Sequence, residues 1–151
     1  MGKHHKVLIF GSSGQICKPL IRYLYKKLKC NFFIVSRDTL NFDDFEIKKN
    51  QKKPKAIKVK SYELIDIKRL LNDVKPNIII YSLAAGSVKS RNHNWQVIKL
   101  INFTIPTLIA EWIFFNKKRT LFINFGSTAE FIGYRSNTKI TGKSIRKHNK
   151  I

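Results

Sequence analysis

Five short, largely apolar runs, at residues 7–10, 32–35, 56–59, 78–81 and 121–125, alternate with longer amphipathic stretches along this chain. Short apolar runs bounded by turn residues predict buried strands, and the stretches between them predict helices, so the order is that of βαβ units. Residues 15–28 predict the first helix, with Ile16, Leu20, Leu24 and Leu28 on one face and Pro19 tolerated in the first turn. Residues 41–55 are polar and contain Pro54, which predicts a short helix or loop crossing to the third strand. Residues 63–72 predict a helix with Leu64, Ile67, Leu70 and Leu71 inward. Residues 94–115 predict a longer helix that Pro106 kinks or splits. Right-handed crossovers then give an α/β, doubly wound parallel sheet of about five strands in the order 3-2-1-4-5, with its ligand crevice at the carboxyl ends of strands one and four.

Composition supports a folded domain. The chain has 151 residues, 43% of them hydrophobic and 12% aromatic, enough for one domain with a core. No uninterrupted apolar run approaches the ~20 residues of a membrane span, and Lys3-His4-His5-Lys6 leads straight into a strand rather than forming a signal peptide. Cys17 and Cys30 form neither a CxxC pair nor a disulfide framework, which suits a reducing cytoplasm. His4, His5, His93 and His148 show no metal-ligand spacing with cysteines or carboxylates, so no metal site is expected.

The charge widens the choice of partner. Thirty Lys and Arg against nine Asp and Glu give +21, a field that attracts polyanions. The same lysines travel with abundant Ile and Asn, as a biased base composition in the coding DNA also produces.

The most specific local signal is Val7-Leu8-Ile9-Phe10-Gly11-Ser12-Ser13-Gly14-Gln15-Ile16-Cys17. A strand that ends on spaced glycines before a helix lets backbone approach a phosphate and aims free N–H groups at it. Cys17 takes the place where a third glycine usually allows close helix–strand packing. The end of the second strand reads Ser36-Arg37-Asp38. An acid there would bind both ribose hydroxyls, whereas Ser36 followed by Arg37 favours a 2′-phosphate, hence NADP over NAD; Asp38 turned inward would reverse the preference.

With Asp73-Val74-Lys75-Pro76-Asn77-Ile78-Ile79-Ile80-Tyr81-Ser82-Leu83-Ala84-Ala85, Asn102 and Phe125-Gly126-Ser127-Thr128-Ala129-Glu130, the chain resembles the extended short-chain dehydrogenase/reductases. These are the NAD-dependent epimerase/dehydratase family, which acts on nucleotide sugars. The resemblance covers nearly all of residues 6–133 and implies a Rossmann-like fold. It also implies that Gly11, Ser12, Gly14, Gln15 and Ile16 form the pyrophosphate loop and that Leu83, Ala84 and Ala85 pass beneath the adenosine and nicotinamide ribose side. Asn102 would buttress the site, and Thr128, with Ser127 as the adjacent alternative, would hydrogen-bond the reacting sugar oxygen.

The departures concern chemistry. Ser82 stands where the family usually has His, Lys60 where it usually has Asp, and Pro106 where it usually has Gly. The YxxxK pair that transfers the proton is not found: Tyr134 is followed at four residues by Thr138, and Lys139 lies five away, off the same helix face. The expectation is a fragment without turnover. It comprises an NAD(P)-binding Rossmann-like domain at 1–133, incomplete relative to the family, and a basic, poorly ordered tail at 134–151. The fifth strand would be left as an apolar sheet edge open to self-association.

Two other patterns add little. Thr141-Gly142-Lys143-Ser144 ends like a P-loop but has Asn137 where the first glycine belongs. Lys48, Lys49, Lys52, Lys53, Lys55, Lys58 and Lys60 form a basic cluster without a nucleic-acid motif or interleaved aromatics. The reading is the NAD(P)-binding portion of a nucleotide-sugar epimerase, dehydratase or reductase. The alternative is a noncatalytic NADP- or polyanion-binding basic protein.

Overall fold

The computed structural model describes residues 5–12, 14–37, 52–86, 94–116 and 119–125. Strands β1 (Lys6–Phe10), β2 (Asn31–Ser36), β3 (Lys55–Lys58), β4 (Ile78–Tyr81) and β5 (Leu121–Asn124) form one parallel sheet in the order β3-β2-β1-β4-β5, as the pattern predicts. Alternation divides the strand side chains between two cores. Leu8, Phe10, Val35, Ile79 and Tyr81 face one side, and Val7, Ile9, Phe32, Ile34 and Ile80 face the other.

Helix α1 (Cys17–Lys27) covers the second of these faces. Its buried stripe is Cys17, Ile21 and Tyr25, with Leu20 and Leu24 at the flank. This differs from the expected face: Ile16 is 60% exposed and Leu28 is also exposed. The predicted stripe tracks the leucines, whereas the observed one is set by Cys17, small enough to sit directly under β1. Tyr25 buries its ring edge-on to Phe32 while its hydroxyl reaches the Lys52 carbonyl at 3.3 Å.

Helix α2 (Leu64–Val74) and the helical run Trp95–Phe115 cover the other face. In α2 the buried residues are Ile67, Leu71 and Val74, with Leu64 and Leu70 packed at the edge. The helix runs two residues beyond the expected end because Val74 still points into the core. It stops where Lys75 turns left-handed at φ 50°.

Pro106 does not split the last helix. The run is α3 (Trp95–Lys99), a π-helical turn (Leu100–Thr104) and α4 (Ile105–Phe115). The wider turn takes up the missing proline N–H: Ile105 N–H bonds the Leu100 carbonyl five residues back, and Pro106 falls in the first turn of α4. By length and composition this helix is apolar enough to cross a membrane. Here its inner face of Ile101, Ile105, Leu108, Ile109 and Trp112 packs in the core shared with the sheet and α2.

At the sheet edge β5 leaves Leu121 and Ile123 exposed. The 41–51 part of the predicted crossover and the 134–151 tail lie outside the described residues.

Candidate functional site

The turn after β1 is built around Gly11, at φ +84°. A Cβ there would stand 2.6 Å from the Ser82 carbonyl carbon, 2.7 Å from its oxygen and 2.8 Å from the Leu83 nitrogen. Only glycine therefore lets the ends of β1 and β4 lie this close, tied by the Ser82 N–H to the Phe10 carbonyl at 3.0 Å. The Gly14 N–H closes the turn on the Gly11 carbonyl at 3.1 Å, and the Lys18 N–H bonds the Gly14 carbonyl at 3.0 Å as α1 begins.

Among the described residues no side chain caps α1 and no acid occupies its first turn, so the positive end of the helix dipole is not neutralised there. Beside it the Ser12 hydroxyl is buried with no hydrogen-bond partner among the described residues. An uncapped helix start, a glycine turn and an orphaned hydroxyl together fit a phosphate acceptor.

Cys17 seals the underside of this turn. Burial pushes its thiol up from 9.0 to about 11, partly offset by a hydrogen bond from the Ser82 side chain. The folded protein therefore keeps a proton that the unfolded chain loses above pH 9. This contribution to stability is intact below pH 9 and is lost as pH rises toward 11. Burial raises Tyr25 and Tyr81 in the same sense. Urea unfolding at pH 8 and about pH 10.5 should show a decline that Cys17→Ala reduces and that the two tyrosines keep from vanishing.

A cavity of about 480 Å³ opens at the carboxyl edge of the sheet. Of the predicted residues, Arg37, Leu83, Ala84 and Ala85 line it. Gly11, Ser12, Gly14, Gln15, Ile16 and Ser36 do not line it. Ser36 is buried behind Arg37. Ser127 and Thr128 lie outside the described residues.

Asn102 fixes the loop after β4. Its side-chain amide donates to the Ala85 carbonyl at 2.8 Å and accepts from the Ala85 N–H at 2.9 Å. The π turn that absorbs Pro106 contains Asn102, so the helix irregularity and the loop geometry are coupled.

Sequence reading does not assign Tyr62, Val97, Leu100 or Ile101 to the cavity wall. They come from the loop after β3 and from the last helix. The only available signal was the strand order itself, which sets the loops after β2, β3 and β4 side by side.

A parallel 3-2-1-4-5 sheet, a glycine turn into an uncapped helix and a cavity at the carboxyl edge define a Rossmann-like dinucleotide-binding domain. The model of the NAD dependent epimerase/dehydratase family matches residues 7–146, and the chain belongs to that family.

Among solved structures, the chain is similar to the Bordetella bronchiseptica enzyme WbmG in complex with NAD and UDP, at 17% identity and a TM-score of 0.60; the match covers 82% of this chain and 38% of WbmG. Helicobacter pylori ADP-L-glycero-D-manno-heptose-6-epimerase matches at 15% identity and a TM-score of 0.65, over 93% of this chain and 44% of that one. The bulky-bulky ketone specific alcohol dehydrogenase of Comamonas testosteroni matches at 22% and 0.64, over 85% and 56%. The chain thus spans well under two-thirds of each of these structures. Comparison with curated proteins returned no match.

Proposed function

We infer that this chain is the NADP-binding portion of an enzyme of the epimerase, dehydratase or reductase type that acts on a nucleotide sugar. The observation that carries this reading is the meeting of three loops at one sheet edge. The turn after β1 presents N–H groups, the end of β2 presents Arg37, and the loop after β4 presents Leu83, Ala84 and Ala85. The α1 N-terminus, with Ser12, would hold the pyrophosphate, and Arg37 the 2′-phosphate. Asn102 would hold the Ala85 segment against the adenosine side. When bound, the nicotinamide supplies a hydride acceptor and donor. Orientation of the sugar oxygen falls to Thr128 or Ser127 by resemblance to the family. The nucleotide-sugar assignment draws support from family membership and from WbmG, which was solved with UDP.

Fluorescence titration of the chain with NADPH and NADH tests the reading. Saturable binding of NADPH at least about tenfold tighter than NADH is expected, the size of one charge-assisted phosphate contact. Absence of saturable binding by either dinucleotide would remove the reading. The charge of +21 favours the noncatalytic polyanion-binding alternative, which DNA binding that survives high salt would promote.

A further inference from the structure

We propose that Lys60 is a second cation for the 2′-phosphate and, with Arg37, sets the preference for NADP; this rests on the dinucleotide reading of the cavity. The parallel pairing of β2 with β3 continues past the strand ends. Ser36 lies opposite Lys58, and the Val59 N–H bonds the Ser36 carbonyl at 2.9 Å. Ser36-Arg37 and Val59-Lys60 therefore leave the sheet side by side, and Arg37 and Lys60 both line the same cavity.

No acidic side chain lines that cavity among the described residues. The closest acid along this loop, Glu63, accepts a hydrogen bond from Ser61 at 3.2 Å and is not part of the wall. A site for a free 2′-hydroxyl would need an acceptor at this point. Two cations on one wall, with the Ser61 hydroxyl beside them and no carboxylate among the described residues, instead match an anion.

The two cations divide the work by shape. The Arg37 guanidinium is a planar fork suited to two phosphate oxygens, and the Lys60 ammonium is a compact charge on a flexible stem that can approach the third. Away from them the wall is apolar, formed by Leu83, Val97, Leu100 and Ile101, and suits the flat base of the same nucleotide. The ligand class is thus a purine nucleoside carrying a ribose phosphate next to the base.

The test compares NADPH and NADH binding in wild type, Lys60→Ala, Lys60→Glu and Lys60→Arg, with melting curves to verify folding. Lys60 is exposed, so the variants should keep the wild-type melting temperature. Lys60→Ala should weaken NADPH about tenfold while NADH changes by less than about twofold. Lys60→Glu should weaken NADPH further, and Lys60→Arg should retain it. Equal weakening of both dinucleotides would overturn the proposal by placing Lys60 on a part they share. Unchanged binding of both would overturn it by showing a solvated lysine. Failure of the wild type to bind either one would overturn the underlying dinucleotide reading instead.

Discussion

Gly11→Ala should lower folding stability by about 3 kcal/mol and abolish NADPH binding. Two costs add. An alanine held at φ +84° pays the left-handed penalty of about 1–2 kcal/mol. Its Cβ also meets backbone, not a flexible side chain, at 2.6 to 2.8 Å. Relieving that overlap requires β1 and β4 to separate at their ends, at about 1–3 kcal/mol. The separation disturbs both the glycine turn and the Leu83 to Ala85 loop, so binding and stability fall together. Gly14→Ala is the informative contrast. Gly14 has no positive φ, and among the described residues its Cβ would meet only the Gly11 carbonyl, at 3.3 Å. It should lose under about 1 kcal/mol in urea unfolding yet still weaken NADPH, because its added methyl group would sit in the phosphate loop. Gly14→Ala with wild-type affinity would remove the phosphate from this turn.

The centre of the sheet was legible because β1, β2 and β4 are compact apolar runs, buried on both faces with little polar alternation to blur them, whereas β3 and β5 at the edges are more exposed. Right-handed crossovers then restrict the strand order to the one observed. Helix faces were less legible. In α1 the leucines suggested one stripe, but burial follows Cys17, Ile21 and Tyr25, because contact with β1 and β2 decides the rotation and hydrophobicity alone does not. The local rule for Pro106 predicted a kink or a split. Of these the split does not occur, because a π turn supplies the spare residue that keeps the helix continuous.

The site divides along the same line. Arg37, Leu83, Ala84 and Ala85 stand at strand ends, where the fold places ligands, and they line the cavity. Val97, Leu100 and Ile101 carry no chemical signature and enter the wall only through packing of a helix distant in sequence. Lys60 stood out as a departure from the family pattern and as the end of a basic cluster, neither of which points to Arg37. Its place beside Arg37 depends on the β2–β3 register, which the polar residues before β3 did not reveal.

Tyr81→Phe should cost about 2 kcal/mol, and Pro106→Ala should recover much of that loss. In the π turn the Ile105 N–H reaches back five residues to Leu100. At that pitch the next donor, residue 106, would serve the Ile101 carbonyl, but proline has no N–H. The Tyr81 hydroxyl, rising from the end of β4, donates to the Ile101 carbonyl instead, in a buried setting. Burial, reinforced by Tyr62, pushes the Tyr81 phenol well above its usual range, so it is a protonated donor at neutral pH. Phenylalanine would leave a buried carbonyl without a partner, the costly side of the hydrogen-bond balance. An alanine at 106 supplies the missing backbone donor. Tyr81→Phe in the Pro106→Ala background should therefore cost under about 1 kcal/mol in urea unfolding. Strict additivity would show that residue 106 is not the donor that Tyr81 replaces. The cycle also has a functional readout, because Asn102 lies in the same turn and holds Ala85 by two hydrogen bonds. The bond from an alanine N–H at 106 to the Ile101 carbonyl requires the π pitch, so Asn102 stays on Ala85 and NADPH affinity in Pro106→Ala should remain near the wild-type value; a loss of affinity would show that the turn has changed pitch.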